Sequence, residues 1–365
     1  MTIFDRTPAL PGVDRLSSLR ARLTWSLARH LVARTLFWGG MYLAALVVFG
    51  AFTVLRGADP FSMYHAMWES TVMNAYGRGQ VWDKAAPFIL TGLAVAVPAR
   101  AGLVNIGGEG QIVIGVTAAG GVALALGTHV TGTPALILMG LAAAAAGAAW
   151  AAIATVLRLV GNVNEAIATL LLNYVGADVL NYLVYGPWRD AAGNGQPAAK
   201  PLPDGDRLPH LGNYAHIGIV VAVLAAGAVA FALKRTSWGF MLRCVGGNQV
   251  AARRAGLKVA WLMLSAMLVG GALAGLAGMI QFTGLEGQLR PGIAATFGYT
   301  GFLASWLARH QPGKVVLAAT LLAGIAVAGD SLQITSHLPG STVNILMALI
   351  LLAMLATRTR SRAAA

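Results

Sequence analysis

Residues 85–130 read AAPFILTGLAVAVPARAGLVNIGGEGQIVIGVTAAGGVALALGTHV, and they decide the fold. Two apolar runs, 85–103 and 111–130, flank the stretch Pro98-Ala-Arg-Ala-Gly-Leu-Val-Asn-Ile-Gly-Gly-Glu-Gly-Gln111. Each run is near 20 residues, the length of a membrane-spanning helix. The join between them resists helix formation. Pro87 and Pro98 lack a backbone donor, and Gly102, Gly107, Gly108 and Gly110 weaken the helix further. At membrane depth such a break is tolerated only where protein or a water-filled cavity satisfies the backbone. Glu109 stands beside it. An acid at a helix centre costs about 2.5–3.5 kcal/mol on insertion scales, so this one is expected to face protein or water. The alternative is a turn near the membrane surface, with Asn105 and Glu109 capping helices. Packing, gating and direct solute contact all remain open for this segment.

The same pattern recurs along the chain. Further apolar stretches lie at about 36–55, 134–157, 166–185, 215–233, 259–282, 294–308, 314–331 and 342–357, which makes ten spans with the first two. The composition agrees: 57% hydrophobic, 11% charged and 45 glycines in 365 residues. Soluble domains carry about 25% charged residues. A soluble enzyme, a disordered regulator and a secreted disulfide scaffold are excluded. The expected fold is an all-α polytopic membrane protein of about ten helices, some broken, with both termini cytoplasmic. Residues 1–35 read as a basic tail, with an amphipathic surface helix around Leu16–Leu31. Residues 36–357 read as one membrane domain, and 358–365 as a second tail. The single Cys244 can form neither an internal disulfide nor a zinc site.

The net charge of +13 is assigned by topology. Ten spans with an inward N-terminus leave seven bases outside: Arg56, Arg78, Lys84, Arg189, Lys200, Arg207 and Arg290. The other 19 of 26 lie inside. That asymmetry is the positive-inside signal, so the charge marks membrane orientation and not nucleic acid. Two long outer loops, 56–84 and 186–214, are expected to hold irregular structure or a short helix, and serve as spacers or as a docking face.

A second polar segment starts at Gly161-Asn-Val-Asn-Glu-Ala-Ile-Ala-Thr-Leu-Leu-Leu-Asn-Tyr174. Glu165, Thr169 and Asn173 fall at i, i+4 and i+8, on one helical stripe. Tyr174, Asp178 and Asn181 extend the polar character through an apolar span. Such residues either join helices by hydrogen bonds or line a route. Asn and Tyr suit a neutral, hydrogen-bonding, partly aromatic solute.

The third segment, Lys234–Lys258, has six bases and no acid. A short helix is expected around Gln249–Ala255, with Asn248 as its N-cap and Gly246, Gly247 and Gly256 flanking it. A rigid helix of this kind is what a permease needs to receive force from a motor subunit. No G-x-x-x-x-G-K-[ST] loop occurs, and none of the five lysines closes one, so no ATP site is visible. No nucleophile, paired-carboxylate or metal-ligand arrangement is apparent, and no catalytic or metal residue is assigned.

Together the three segments resemble a known family. L-T-G-L-A-V-A-V-P-A-R-A-G-L-V-N-I-G-G-E-G-Q is similar to the start of bacterial permeases of the branched-chain amino acid and ribose superfamily. N-E-A-I-A-T-L-L-L-N-Y, followed by N-Y-L-V-Y-G-P-W-R-D, looks like its nucleoside-type branch, which is linked to basic membrane proteins. G-F-M-L-R-C-V-G-G-N-Q-V-A-A-R-R-A-G-L resembles the superfamily's cytoplasmic coupling segment. The chain departs at Cys244-Val245, where Ala-Val is common, and at Gly247-Asn-Gln, where Gly/Leu-Asn-Pro is usual.

The resemblance implies a multi-pass permease subunit of an ATP-binding-cassette importer in the bacterial inner membrane, moving nucleosides or related bases inward. It carries no cofactor and is not itself an enzyme; a separate ATPase uses the ATP. The implied partners are that ATPase, a paralogous second permease, an external solute-binding lipoprotein or periplasmic protein, and membrane lipid. Path candidates are Asn105, Glu109, Asn164, Glu165, Thr169, Asn173 and Tyr174. Coupling is carried to Gly246, Asn248, Ala251, Ala252, Arg253, Arg254 and Gly256. A permease for ribose-type sugar, riboflavin or branched-chain amino acid is an alternative. So is an ion-coupled secondary transporter.

Overall fold

The computed structural model describes residues 40, 43–44, 46–55, 57–193, 195–212, 214–335 and 344–349. The chain divides into two compact units, one of residues 1–60 and 344–365, the other of 61–343. In the first, residues 46–55 and 344–349 are helical. The expected surface helix at Leu16–Leu31, both tails, part of the stretch 36–55 and most of the stretch 342–357 lie outside the described residues.

The second unit is built of helices. They are α1 (Pro60–Trp68), α2 (Ala75–Arg100), α3 (Gly108–Leu126), α4 (Thr133–Gly161), α5 (Glu165–Tyr185) and α6 (Gly218–Arg235). Then come α7 (Ser237–Gly247), α8 (Gln249–Arg254), α9 (Val259–Ile280), α10 (Phe297–Leu307) and α11 (Pro312–Thr335). Seven helices among the described residues are long and apolar enough to cross a membrane: α2 to α6, α9 with its π-helical extension to Glu286, and α11. The chain is an all-α polytopic membrane protein. Its only described strands, β1 (His210–Leu211) and β2 (Ala215–His216), form a short antiparallel hairpin just before α6.

The stretch 294–308, read from sequence as a span, is the 11-residue α10. Eleven residues rise about 16 Å, half of a hydrocarbon core. The missing half is irregular chain between Gly287 and Thr296. The stretch 85–103 also differs, because α2 begins ten residues earlier at Ala75. Arg78, Asp83 and Lys84 hid that start in an otherwise apolar pattern. Asn74 caps it, accepting the Tyr76 N–H at 2.9 Å.

α2 is the central pillar, buried along most of its length among α6, α9, α10 and α11. Small residues allow this. A β-carbon at Gly271 would stand 2.3 Å from the Gly147 carbonyl oxygen, and one at Gly275 would stand 2.0 Å from that of Ala143. Gly271 and Gly275 form a small-xxx-small pair that joins α9 to α4 by close backbone approach.

The two ends of the bundle differ in charge. One carries Arg100, Arg158, Lys234, Arg235, Arg243, Arg253, Arg254, Lys258, Arg309 and Lys314; we call it the basic end. At the opposite end Lys84 pairs with Asp330, and Arg290 with Glu286. The Lys84–Asp330 pair joins α2 to α11.

Candidate functional site: a broken-helix junction inside the bundle

α2 ends at Arg100, and the chain turns back into the bundle instead of leaving it. The side chain of Asn105 donates to the Ala94 carbonyl at 3.2 Å. Ala94 lies six residues before the end of α2, so the turn returns about 9 Å along that helix. Asn105 is fully buried and exchanges two hydrogen bonds with Gln111, each 3.0 Å. Its Oδ1 also accepts the Gly107 N–H at 3.1 Å. α3 therefore begins below the bundle surface.

A returning backbone of this kind exposes polar groups to an apolar interior, where each needs a partner. The stripe on α5 supplies them. Glu165 accepts the Val104 N–H at 3.2 Å. Thr169 accepts the Ile106 N–H at 3.2 Å. Asn173 accepts the Gly110 N–H at 2.8 Å and donates to the Ile106 carbonyl at 3.1 Å. All three are buried, and their i, i+4, i+8 spacing matches the length of the turn they hold. Glycine permits the approach: a β-carbon at Gly107 would lie 2.8 Å from that of Thr169, and one at Gly110 would lie 2.8 Å from the Leu172 carbonyl oxygen.

Glu165 has a second partner, Arg158 on the last turn of α4. Arg158 was not picked out in the sequence, although it lies only seven residues upstream. Asn164 stays exposed as the N-cap of α5, accepting the Ala166 N–H at 2.9 Å. Tyr174 is 64% exposed and points away from the turn. The structure therefore gathers Asn105, Glu109, Glu165, Thr169 and Asn173 around one junction, with Asn164 at its rim and Tyr174 on another face.

Glu109 completes the junction from the other side. Its carboxylate accepts the backbone N–H of Thr296 and that of Gly298, the latter at 2.7 Å. These belong to the N-terminus of α10, so two helix N-termini meet at one carboxylate inside the bundle. Both dipoles favour the negative charge there. The contact is tight: a β-carbon at Gly298 would lie 2.1 Å from the Glu109 nitrogen. The depth follows from α2, because the Phe88 and Phe297 rings meet edge to face at 5.0 Å and Thr91 touches the Phe297 carbonyl. Thr296 has φ of +72°, an uncommon conformation for a β-branched residue. Tyr299 follows one residue after Gly298, and its hydroxyl contacts Asn173 at 3.4 Å. No local signal marks Thr296, Gly298 and Tyr299 from the sequence, because their partners lie 187, 189 and 126 residues away.

The basic end holds the coupling candidates. α7 is capped by Thr236 and α8 by Asn248, whose side chain accepts the Ala251 N–H at 3.0 Å. α8 covers Gln249–Arg254, as its cap and flanking glycines predict, and Gly256 ends the turn with φ of +84°. Ala251, Arg253 and Arg254 are exposed, whereas Ala252 is buried. At Gly246 a β-carbon would stand 2.2 Å from the Arg100 carbonyl oxygen and 3.2 Å from the Gly102 nitrogen. The α7–α8 pair therefore rests on the residues where α2 gives way to the turn.

A family described as the permease component of branched-chain amino acid transport systems matches residues 79–355. The glucose ABC transporter permease of Haloferax volcanii is 37% identical over 322 residues, 85% of this chain and 84% of that one. The guanosine ABC transporter permease NupP of Bacillus subtilis is 35% identical over 313 residues, 82% of this chain and 86% of that one. A second guanosine permease of the same organism, NupQ, is 26% identical over 287 residues, 74% of this chain and 88% of that one. No solved structure matches the chain.

Proposed function

This chain belongs to the branched-chain amino acid transport system permease family, and from that premise we propose that it moves nucleosides or related bases inward as the membrane subunit of an ABC importer. The observation that carries the solute is the 35% identity to a guanosine permease along 86% of that protein's length. ATP is hydrolysed on a separate ATPase subunit, which docks at the basic end against α7 and α8. A second, paralogous permease completes the path; the presence of two guanosine permeases among the relatives from one organism supports a pair of unlike chains. An external binding protein delivers the solute to the opposite end. The basic end faces the cytoplasm, by the positive-inside rule, and the membrane is the cytoplasmic membrane.

In this reading the junction is the moving part of the path. Force applied to α8 passes through Gly246 to the end of α2 and so to the turn at 101–107. That turn is hydrogen-bonded to α5, and Glu109, just beyond it on α3, holds the start of α10. Asn248, Ala251, Arg253, Arg254 and Gly256 present the surface that receives the ATPase.

The test is uptake by the assembled transporter in proteoliposomes. Guanosine uptake should require ATP and stop when the catalytic glutamate of the partner ATPase is removed. Uptake that persists, or that an ion gradient drives without ATP, overturns the reading. A sugar solute is the second reading, favoured by the 37% identity to a glucose permease. Competition between labelled guanosine and unlabelled glucose separates the two.

A further inference from the structure

α5 has two polar faces, and the junction uses only one. Tyr174, Asp178 and Tyr182 also fall at i, i+4 and i+8, on a face turned away from the turn at 101–107. Tyr174 is 64% and Tyr182 73% exposed, and Asp178 is exposed between them. Among the described residues Asp178 has neither a hydrogen bond nor an ion pair. It lies thirteen residues into a 21-residue span, about 20 Å from Glu165. α5 packs chiefly against α3 and α4, which leaves this face open.

An unpaired carboxylate at that depth cannot face lipid cheaply, since it costs about 2.5–3.5 kcal/mol at a helix centre. The face therefore meets water or a polar occupant. Its chemistry selects one. Two phenol rings stand one turn above and one turn below a bidentate acceptor, within reach of a planar solute. A carboxylate pairs best with two parallel N–H donors. Guanine presents such donors on one edge, N1–H and the 2-amino group. Hypoxanthine keeps only the first, and adenine places a lone pair at N1, facing the carboxylate.

Resting on the nucleoside reading above, we propose that Asp178, flanked by Tyr174 and Tyr182, is a specificity-determining contact in the transport path, reading the donor edge of a guanine base. The rings hold the base by stacking, and the carboxylate discriminates among purines.

The experiment is uptake of guanosine, inosine and adenosine by the complete transporter in proteoliposomes, comparing the wild-type chain with D178N, D178E and Y182A. Asn at 178 should lower guanosine uptake about tenfold or more, the worth of hydrogen bonds to a charged group, while adenosine changes less than twofold. Glu at 178 should retain the order guanosine, inosine, adenosine. Ala at 182 should lower all three together. The proposal is overturned if D178N reduces the three purines equally, leaves guanosine uptake unchanged, or loses the second permease on co-purification. That last result would make the face a packing surface between the two permeases. If the wild-type transporter carries glucose and no purine, the solute reading itself fails and this proposal falls with it. Wild-type guanosine uptake with an indifferent D178N overturns this proposal alone.

Discussion

Glu109 holds the backbone N–H of Thr296, a residue 187 positions away whose φ is +72°. A β-branched residue in that region costs on the order of 1–3 kcal/mol and persists only when its surroundings impose it. The carboxylate imposes it and also takes the Gly298 N–H. E109A should release the start of α10, which loses two hydrogen bonds to a charged group at about 1.5–3 kcal/mol each. Uptake should fall at least tenfold. E109Q keeps an acceptor oxygen but not the charge, and should fall between. Parallel uptake and co-purification assays check this; unchanged uptake in E109A removes the junction from the mechanism.

Asn173 bridges α5 to both sides of the turn, through Gly110 N and Ile106 O. N173A leaves both groups buried without partners, at about 1–3 kcal/mol each. The purified permease complex should therefore melt several degrees lower in N173A, whereas N173D, which keeps the acceptor for Gly110, should lose less. Equal melting temperatures for the two variants would argue against the bonding observed.

The loop region at the far end predicts a pH effect. His216 is fully buried, its backbone N–H given to Asp83 at 2.8 Å and its Nδ1 accepting from Gly218 at 3.1 Å. Burial pushes its pKa below the ordinary histidine value, and the Asp83 carboxylate only partly opposes this. The unfolded chain takes up a proton at about pH 6.5, while the folded chain resists doing so. The contribution of His216 to stability is thus complete above that pH and declines as pH falls through it. Melting temperature measured from pH 7.5 to 5.5 should drop more steeply for the wild type than for H216Q.

These elements were legible to different degrees. The break at 98–111 showed in its prolines and glycines, and the α5 stripe in its helical spacing. The caps Asn164 and Asn248 were readable because an N-cap is a local device. The inward return of the turn was not. Asn105 reads equally well as a surface cap or a buried strut, and only its bond to Ala94 decides. α10 misled for a related reason: residues 294–308 are apolar enough for a span, but the break at Thr296 is enforced by Glu109, from a distant part of the chain. Periodicity reports which face is polar and not what it meets. That is why Glu165, Thr169 and Asn173 could be grouped, while their backbone partners could not.

The surface of α8 should separate docking from folding. Val250 is exposed beside Arg253 and Arg254, whereas Ala252 is buried. R253E together with R254E should weaken ATPase co-purification while leaving the melting temperature of the permease within about 1 kcal/mol of stability, as for ordinary surface changes. A252L should instead destabilise the permease itself by about 1–3 kcal/mol through overpacking. Loss of docking in A252L with normal melting would move the ATPase contact inward.

Gly246 tests whether force reaches the junction. Its α-carbon lies against the Arg100 carbonyl so closely that a β-carbon would stand 2.2 Å from the oxygen. That oxygen is backbone and cannot swing aside, so G246A must part α7 from the end of α2. Overpacking of this kind costs about 1–3 kcal/mol, less than a typical domain's stability, so the protein should still fold. The ATPase should dock and hydrolyse ATP, because the face of α8 is unaltered. Uptake per ATP hydrolysed should fall, since the turn at 101–107 no longer moves with α8. Measuring uptake and hydrolysis in the same proteoliposomes gives that ratio directly. A G246A transporter with the wild-type ratio would show that coupling bypasses the end of α2, whatever its effect on melting temperature.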